Sequence, residues 1–348
     1  MDFGILVECN PDAPAIAKLA EANGFKSFFI IDSHVGWREV YPYLTLCARE
    51  TSRIRIGTLV TNPVTRHPTV TASAFATLNE ISNGRMVLGI AKGDSATRVI
   101  GERQATMAEF RNGVRLIQRL MNGETVEYTP KTPDKAKWLA QAGGKPIETR
   151  FHWYEPPGRI PTYIGGYGPK TLHFAGEGAD AVVIQAPHPS AVQWSLGHAF
   201  EGAKGAGRDP KTLRIVVSGP IGVNDDMKKA TDDLRWFVQA VWNHSAHLLE
   251  HYQKSELPEA LVTGLPADFH SDYSEHIVRD AEELKQVPDR AVDLLTVIGP
   301  ADRCVERLEQ LAAMGASEFI HYALGALSKA EIDESIRTIG KHIIPRMQ

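Results

Sequence analysis

Residues Ile54 to Pro68 read IRIGTLVTNPVTRHP. β-Branched and apolar residues fill the run from Ile54 to Thr61, the composition of a buried strand. The run breaks at the polar turn Thr61-Asn62-Pro63. A helix is expected to begin at Pro68, because proline suits a first helical turn, where its missing N–H would have found no partner anyway. Strand, short polar turn and helix make one βα unit. In a parallel barrel such a turn lies at the carboxyl ends of the strands, the face where ligands bind.

The same unit recurs on both sides. Strands are expected at Phe3 to Val7, Ser27 to Ile31, Met86 to Ala91, Pro161 to Gly165, Ala181 to Gln185, Leu213 to Ser218 and Glu318 to Leu324. Helices are expected at Pro11 to Asn23, Tyr41 to Thr51, Pro68 to Ser82, Met107 to Met121, Pro169 to Ala179, Ala191 to Lys204, Pro300 to Met314 and Lys329 to Ile344. Gly24 and Asn83-Gly84 punctuate helix ends, as residues that accept a left-handed conformation do. Strands separated by helical crossovers pair in parallel. Eight such units predict an α/β fold of the (β/α)₈ TIM-barrel kind, a single domain over residues 1–348. The chain of 348 residues exceeds a barrel of roughly 250. The excess lies in two insertions, at about 124–160 and 223–297. The first is rich in Pro, Lys and Gly and reads as a loop. Segments this long usually build lids or pocket walls.

Composition narrows the function. A net charge of −4 argues against a nucleic-acid partner, which calls for a basic face. Cys9, Cys47 and Cys304 form no C-x-x-C pair and no disulfide framework, which fits a reducing compartment. Met1-Asp2-Phe3-Gly4 leads straight into a strand with no signal-peptide pattern, and no apolar run reaches membrane-spanning length. The expectation is a cytoplasmic protein without a membrane partner.

Four further segments carry candidate chemistry. Asp32-Ser33-His34 follows the second strand. Asp32 could be a cap and His34 a surface residue, or both could stand at the mouth, where histidine exchanges protons near neutral pH. Lys92-Gly93-Asp94-Ser95 follows the fourth strand; Lys92 could be solvated or could meet an anion. Gly165-Gly166-Tyr167-Gly168-Pro169-Lys170-Thr171 joins a strand to a helix. Glycines there allow either a tight turn or the close approach of backbone amides to an anion at a helix N-terminus. The Rossmann spacing is absent. In the second insertion Trp236, Trp242, Asn243, His244, His247 and His251 suggest a pocket wall or an ordinary helix surface. The histidines share a helix face, yet no companion carboxylate or cysteine is read at fixed spacing, so no metal ligand is assigned.

The Thr61-Asn62-Pro63-Val64-Thr65-Arg66-His67-Pro68 run resembles the third-strand region of luciferase-like enzymes, and most of all methylene-tetrahydromethanopterin reductase and its relatives. Ala76 to Arg85 and Val87 to Asp94 follow the same family pattern. The likeness covers most of Met1 to Gln185 and resumes at Ile298 to Gly315. It implies an oxidoreductase with an active-site histidine after the second strand, hence His34 with Asp32. It also implies a cofactor seat at Leu59, Val60, Thr61 and Asn62, with a cis peptide bond at Leu59-Val60. Lys92, Gly166, Tyr167 and Gly168 would face the cofactor phosphate, with Asp94 and Lys170 also counted among the cofactor-binding residues. The reading placed first is an FMN-dependent two-component monooxygenase fed with reduced flavin by a separate flavin reductase. The alternatives are a deazaflavin (coenzyme F420)-dependent reductase or dehydrogenase, and a non-catalytic flavin-binding protein. A small-molecule substrate is expected. So is a homodimer through the helices Tyr41 to Thr51 and Pro68 to Ser82, with Ala72, Ser73, Ala74 and Ala76 at the contact.

Overall fold

The computed structural model describes residues 1–128, 147–262, 282–325 and 327–348. Eight parallel strands close into a barrel: β1 (Asp2–Val7), β2 (Ser27–Ile30), β3 (Arg55–Thr61), β4 (Met86–Ile90), β5 (Thr162–Gly165), β6 (Ala181–Ile184), β7 (Arg214–Gly219) and β8 (Ala316–Ala323). Each pairs with its neighbours in sequence. β8 closes on β1 in a register running from Asp2 opposite Glu318 to Val7 opposite Ala323.

Side chains alternate across each strand. On β1, Phe3, Ile5 and Val7 join the apolar layer beneath the surrounding helices, whereas Leu6 joins a second cluster with Phe29, Leu59, Val87, Tyr163, Val183 and Ile320. The long helices of the outer layer are α1 (Ala13–Ala22), α2 (Val40–Glu50), α3 (Pro68–Ile81), α4 (Met107–Met121), α5 (Pro169–Gly178), α6 (Pro189–Gly205), α7 (Met227–Leu249), α8 (Ala301–Ala313) and α9 (Lys329–His342). Local chemistry fixes their ends. Thr106 and Glu109 form a reciprocal capping box that starts α4, satisfying two backbone donors that an uncapped helix leaves bare. Gly24 follows α1 with a φ of 91°, a conformation that costs glycine nothing.

All eight expected strands and their helices are present, with ends displaced by a few residues. The insertions are more structured than the sequence suggested. The first is not all loop: Val126–Tyr128 pairs antiparallel with Ile147–Thr149. The second opens with the 23-residue α7, and Ile221–Val223 pairs in parallel with Val297–Gly299. The middle of each expected insertion, 129–146 and 263–281, lies outside the described residues. Among the described residues no helix is long and apolar enough to cross a membrane.

The amino end of the barrel is plugged by charge. Glu318 is fully buried and lies 3.2 Å from both Arg55 and Arg214. Its carboxylate also accepts from Tyr163 at 3.0 Å and from Ser27. Asp2 holds the outer side of the two arginines, at 3.3 and 2.7 Å.

Candidate functional site

At the other end, the turns after β2, β3, β4 and β5 converge on one cavity of about 680 Å³, roofed by α7. The residues expected at Asp32, Leu59, Val60, Thr61, Asn62, Lys92, Asp94, Gly166, Tyr167, Gly168 and Lys170 all line it. His34 does not. The chain turns sharply after Asp32, with the Trp37 amide donating to the Ser33 carbonyl at 2.9 Å. That turn sends Trp37 to the cavity and leaves His34 exposed.

The β3 turn is held from three sides. Asn62 accepts from the Val64 and Thr65 amides at 2.9 Å each, an Asx turn that fixes the chain leaving the strand. The Leu59-Val60 peptide bond is cis, as the family resemblance implies. Asp32, 3% exposed, accepts from Thr61 and from Arg66, both at 2.6 Å. Arg66 lies over the Tyr41 ring at 4.9 Å and reaches Glu39 as well. This carboxylate is committed to its neighbours; it ties the second turn to the third.

Cations collect across the cavity. Burial, and secondly the neighbouring Lys170, hold the Lys92 ammonium below the usual lysine range. Neither lysine has an acidic partner among the described residues. Both lie beside the glycine turn, where Gly168 caps α5 and Pro169 opens it. Gly166 is sterically required: a Cβ would come within 2.5 Å of the Thr171 methyl. Gly168 is not so constrained, its nearest neighbour being Leu248 of α7 at 3.9 Å. A helix N-terminus, two like-charged ammonium groups and a glycine-rich turn make a seat for an anion.

α7 forms the remaining wall. The His244 ring stacks on Tyr167 with centroids 4.5 Å apart and lies 3.4 Å from Asp94. The insertion is thereby pinned to both the fourth and fifth turns. Burial pulls the His244 pKa down, against the opposing pull of Asp94. Deeper in the wall, Trp236 is 2% exposed and lines the cavity, and its indole N–H has no hydrogen-bond partner among the described residues. Tyr322 and Ser218 are bonded to each other at 3.1 Å. His247 and His251 stand at the outer rim. The sequence reading overlooked Glu250 there, whose carboxylate lies 3.2 Å from His247 Nδ1. It also overlooked Trp37, Gln104, Gln185 and Arg66. Arg66 was on the page within the quoted run, and its partner Asp32 was named; only their meeting needed the fold.

The family described as luciferase-like monooxygenase matches residues 11–318. The chain is 31% identical over 357 residues to the 5,10-methylenetetrahydromethanopterin reductase of Methanolobus tindarius, covering 99% of this chain and 100% of the relative. It is 28% identical over 350 residues to an F420-dependent glucose-6-phosphate dehydrogenase of Nakamurella multipartita, with coverages of 96% and 91%. Among solved structures, the coenzyme F420-dependent tetrahydromethanopterin reductase of Methanopyrus kandleri superposes with a TM-score of 0.74 at 26% identity, over 100% of this chain and 99% of that one. Fold, mouth and match over most of its length agree: the chain belongs to the luciferase-like family of oxidoreductases.

Proposed function

We propose that this protein is a coenzyme F420-dependent reductase or dehydrogenase acting on a small organic substrate. The observation that carries a phosphate-bearing ring cofactor is the pair Lys92 and Lys170, two ammonium groups without acidic partners among the described residues, beside the glycine turn and facing an apolar wall of Leu59, Val60 and Val183. The choice of a deazaflavin over FMN rests on relatives that are themselves named as F420-dependent. This reverses the order in which the sequence ranked them: the monooxygenase with its separate reductase gives way to the deazaflavin alternative.

The residues fit such a group. Lys92, Lys170 and the amides at the start of α5 would hold its phosphate. The Leu59-Val60 segment and Val183 would back its ring. When bound, a deazaflavin supplies hydride exchange with a substrate carbon. The protein's part is to bind, orient and exclude water. Asp32, locked by Arg66 and Thr61, keeps the β3 turn in place. Trp236 offers a buried donor to an acceptor oxygen on the substrate, a group whose desolvation would otherwise go uncompensated. α7 closes the wall that keeps water out.

Fluorescence titration with F420 and FMN side by side tests the reading. F420 is expected to bind at least tenfold more tightly, and hydride transfer is expected to proceed without oxygen. Tighter binding of FMN, or oxygen consumption with reduced FMN, overturns it. A homodimer is proposed too, through α2 and α3, where Leu46 and Val70 are exposed. Ala72 and Ala76 are buried within their own chain, which leaves Ser73 and Ala74 for the contact. Light scattering at the mass of a single chain would refute it.

A further inference from the structure

We propose that the carboxyl end of α7 carries a transition-metal site, formed by His247, Glu250 and His251 and suited to Zn²⁺. The inference does not depend on which cofactor the cavity takes.

The sequence places the groups. His247 and His251 are four residues apart, so their side chains lie one above the other on a helix face, and Glu250 lies three residues past the first. The helical conformation continues beyond Leu249, with Glu250 at φ −66° and ψ −24°, and the His251 amide donates to the Leu248 carbonyl at 3.0 Å. The spacing therefore acts in three dimensions. One ligand atom from each of the three side chains lies within 4.8 Å of the others. The two imidazole centroids are 5.2 Å apart and nearly perpendicular.

The geometry is near that of a coordination shell. Zinc bonds to nitrogen and oxygen of about 2.0–2.2 Å give neighbouring tetrahedral ligands a separation of roughly 3.3 Å. His247 Nδ1 and the Glu250 carboxylate already stand 3.2 Å apart, so one edge of the tetrahedron exists. The remaining edges need closure by an ångström or so, within reach of side chains at the protein surface. Two imidazoles and one carboxylate favour zinc or a neighbouring first-row cation over magnesium or calcium, which take oxygen ligands. His244 belongs to another set, since it stacks on Tyr167 and faces Asp94.

Three protein ligands leave a fourth position open. His247 and His251 line the rim of the cavity, so the open position is available to water or to an anionic oxygen entering the site. Occupancy would also staple the last turn of the helix that walls the cavity.

Isothermal titration of the tag-free protein with zinc tests this. One equivalent is expected to bind per chain, with no heat from magnesium at the same concentration. The visible spectrum of Co²⁺ bound in its place is expected to be that of a tetrahedral site. His247→Ala combined with His251→Ala is expected to lower zinc affinity at least tenfold, and Glu250→Gln to lower it severalfold. His198→Ala, at an unrelated half-buried histidine on α6, should leave it unchanged. Circular dichroism of the metal-free variants establishes that they fold. Failure to bind zinc, or equal affinity in the double variant, overturns the proposal.

Discussion

Both ends of the barrel carry clustered ionisable side chains, and the two ends treat them in opposite ways. At the amino end Glu318 meets Arg55, Arg214, Tyr163 and Ser27, with Asp2 outside them, so each charge is answered within the chain. At the carboxyl mouth Asp32 and Asp94 are answered, but Lys92 and Lys170 face the cavity without an acid among the described residues. Burial even weakens the hold of Lys92 on its proton. A closed set of charges is a structural device. An open one spends folding energy to wait for a ligand. In this fold the amino face is where side chains serve stability and the carboxyl face where they serve chemistry.

The sharpest way to break the comparison is at Glu318. Glu318→Gln removes the one fully buried carboxylate and leaves the two half-buried arginines with Asp2 as their remaining acid in the plug. Removing one partner of a buried ion network is expected to cost about 3–5 kcal/mol of stability, read by urea denaturation. The cofactor affinity of the folded protein should not change. A loss below about 1 kcal/mol would mean that water reaches the plug and that the two ends differ less than the geometry says.

The mirror experiment is Lys92→Ala. Here stability should hold or rise slightly, since a desolvated ammonium and its repulsion by Lys170 are removed. Binding should suffer: about 1.5–3 kcal/mol, the range for a hydrogen bond to a charged group. The loss should shrink for a deazaflavin lacking the phosphate. Equal losses for both ligands would detach Lys92 from the anion seat.

A third kind of buried ionisable group sharpens the contrast, because it is kept neutral. His321, 3% exposed, accepts from the Ile221 amide at Nδ1, 3.0 Å away, and pairs with Ser335 through Nε2 at 2.7 Å. Nδ1 is the acceptor, so Nε2 carries the proton. Burial pulls its pKa down to about 3, against an unfolded value of about 6.5. Between those values the unfolded chain binds more protons than the folded one, so stability rises with pH there. The contribution is complete above the unfolded pKa and is lost as pH falls towards the folded one, at about 1.4 kcal/mol per pH unit. His321→Gln should flatten that part of the stability profile. Parallel profiles for the two proteins would show that the imidazole is protonated in place.

Much of this was legible in the chain. Apolar strand runs alternating with amphipathic helices specified the barrel, because the units carry their own punctuation, such as Gly24 and Asn83-Gly84. Position at a strand's carboxyl end was enough to gather Asp32, Asn62, Lys92 and Gly166 in one cavity. His34 lies outside the cavity because the chain turns at Ser33, and local sequence does not tell which residue of such a turn faces inward. The plug at Glu318 was invisible for a related reason. The partners of Glu318 come from four strands spread over the whole chain, and no local pattern announces a contact between Ser27 and Glu318. The rim at His247 was half read: the histidine face was seen, and the carboxylate three residues on was not.

The smallest expected effects separate two glycines two residues apart. Gly166→Ala must displace the Thr171 methyl, 2.5 Å from the new carbon. Overpacking of this kind costs about 1 kcal/mol or more, and moving Thr171 disturbs the first turn of α5, so stability and cofactor affinity should fall together. Gly168→Ala meets nothing nearer than 3.9 Å, and the residue already has φ −83° and ψ 146°, open to any side chain. Its reduced freedom in the unfolded chain contributes about 0.4–1 kcal/mol, offset by alanine's weakness as a helix cap. Stability should therefore stay within about 0.5 kcal/mol of the parent. That neutrality makes Gly168→Ala the cleaner probe of the cavity. An affinity loss without a stability loss would mean that the ligand approaches this backbone closely. Unchanged affinity would place the anion at Gly166 and the lysines, away from the cap of α5.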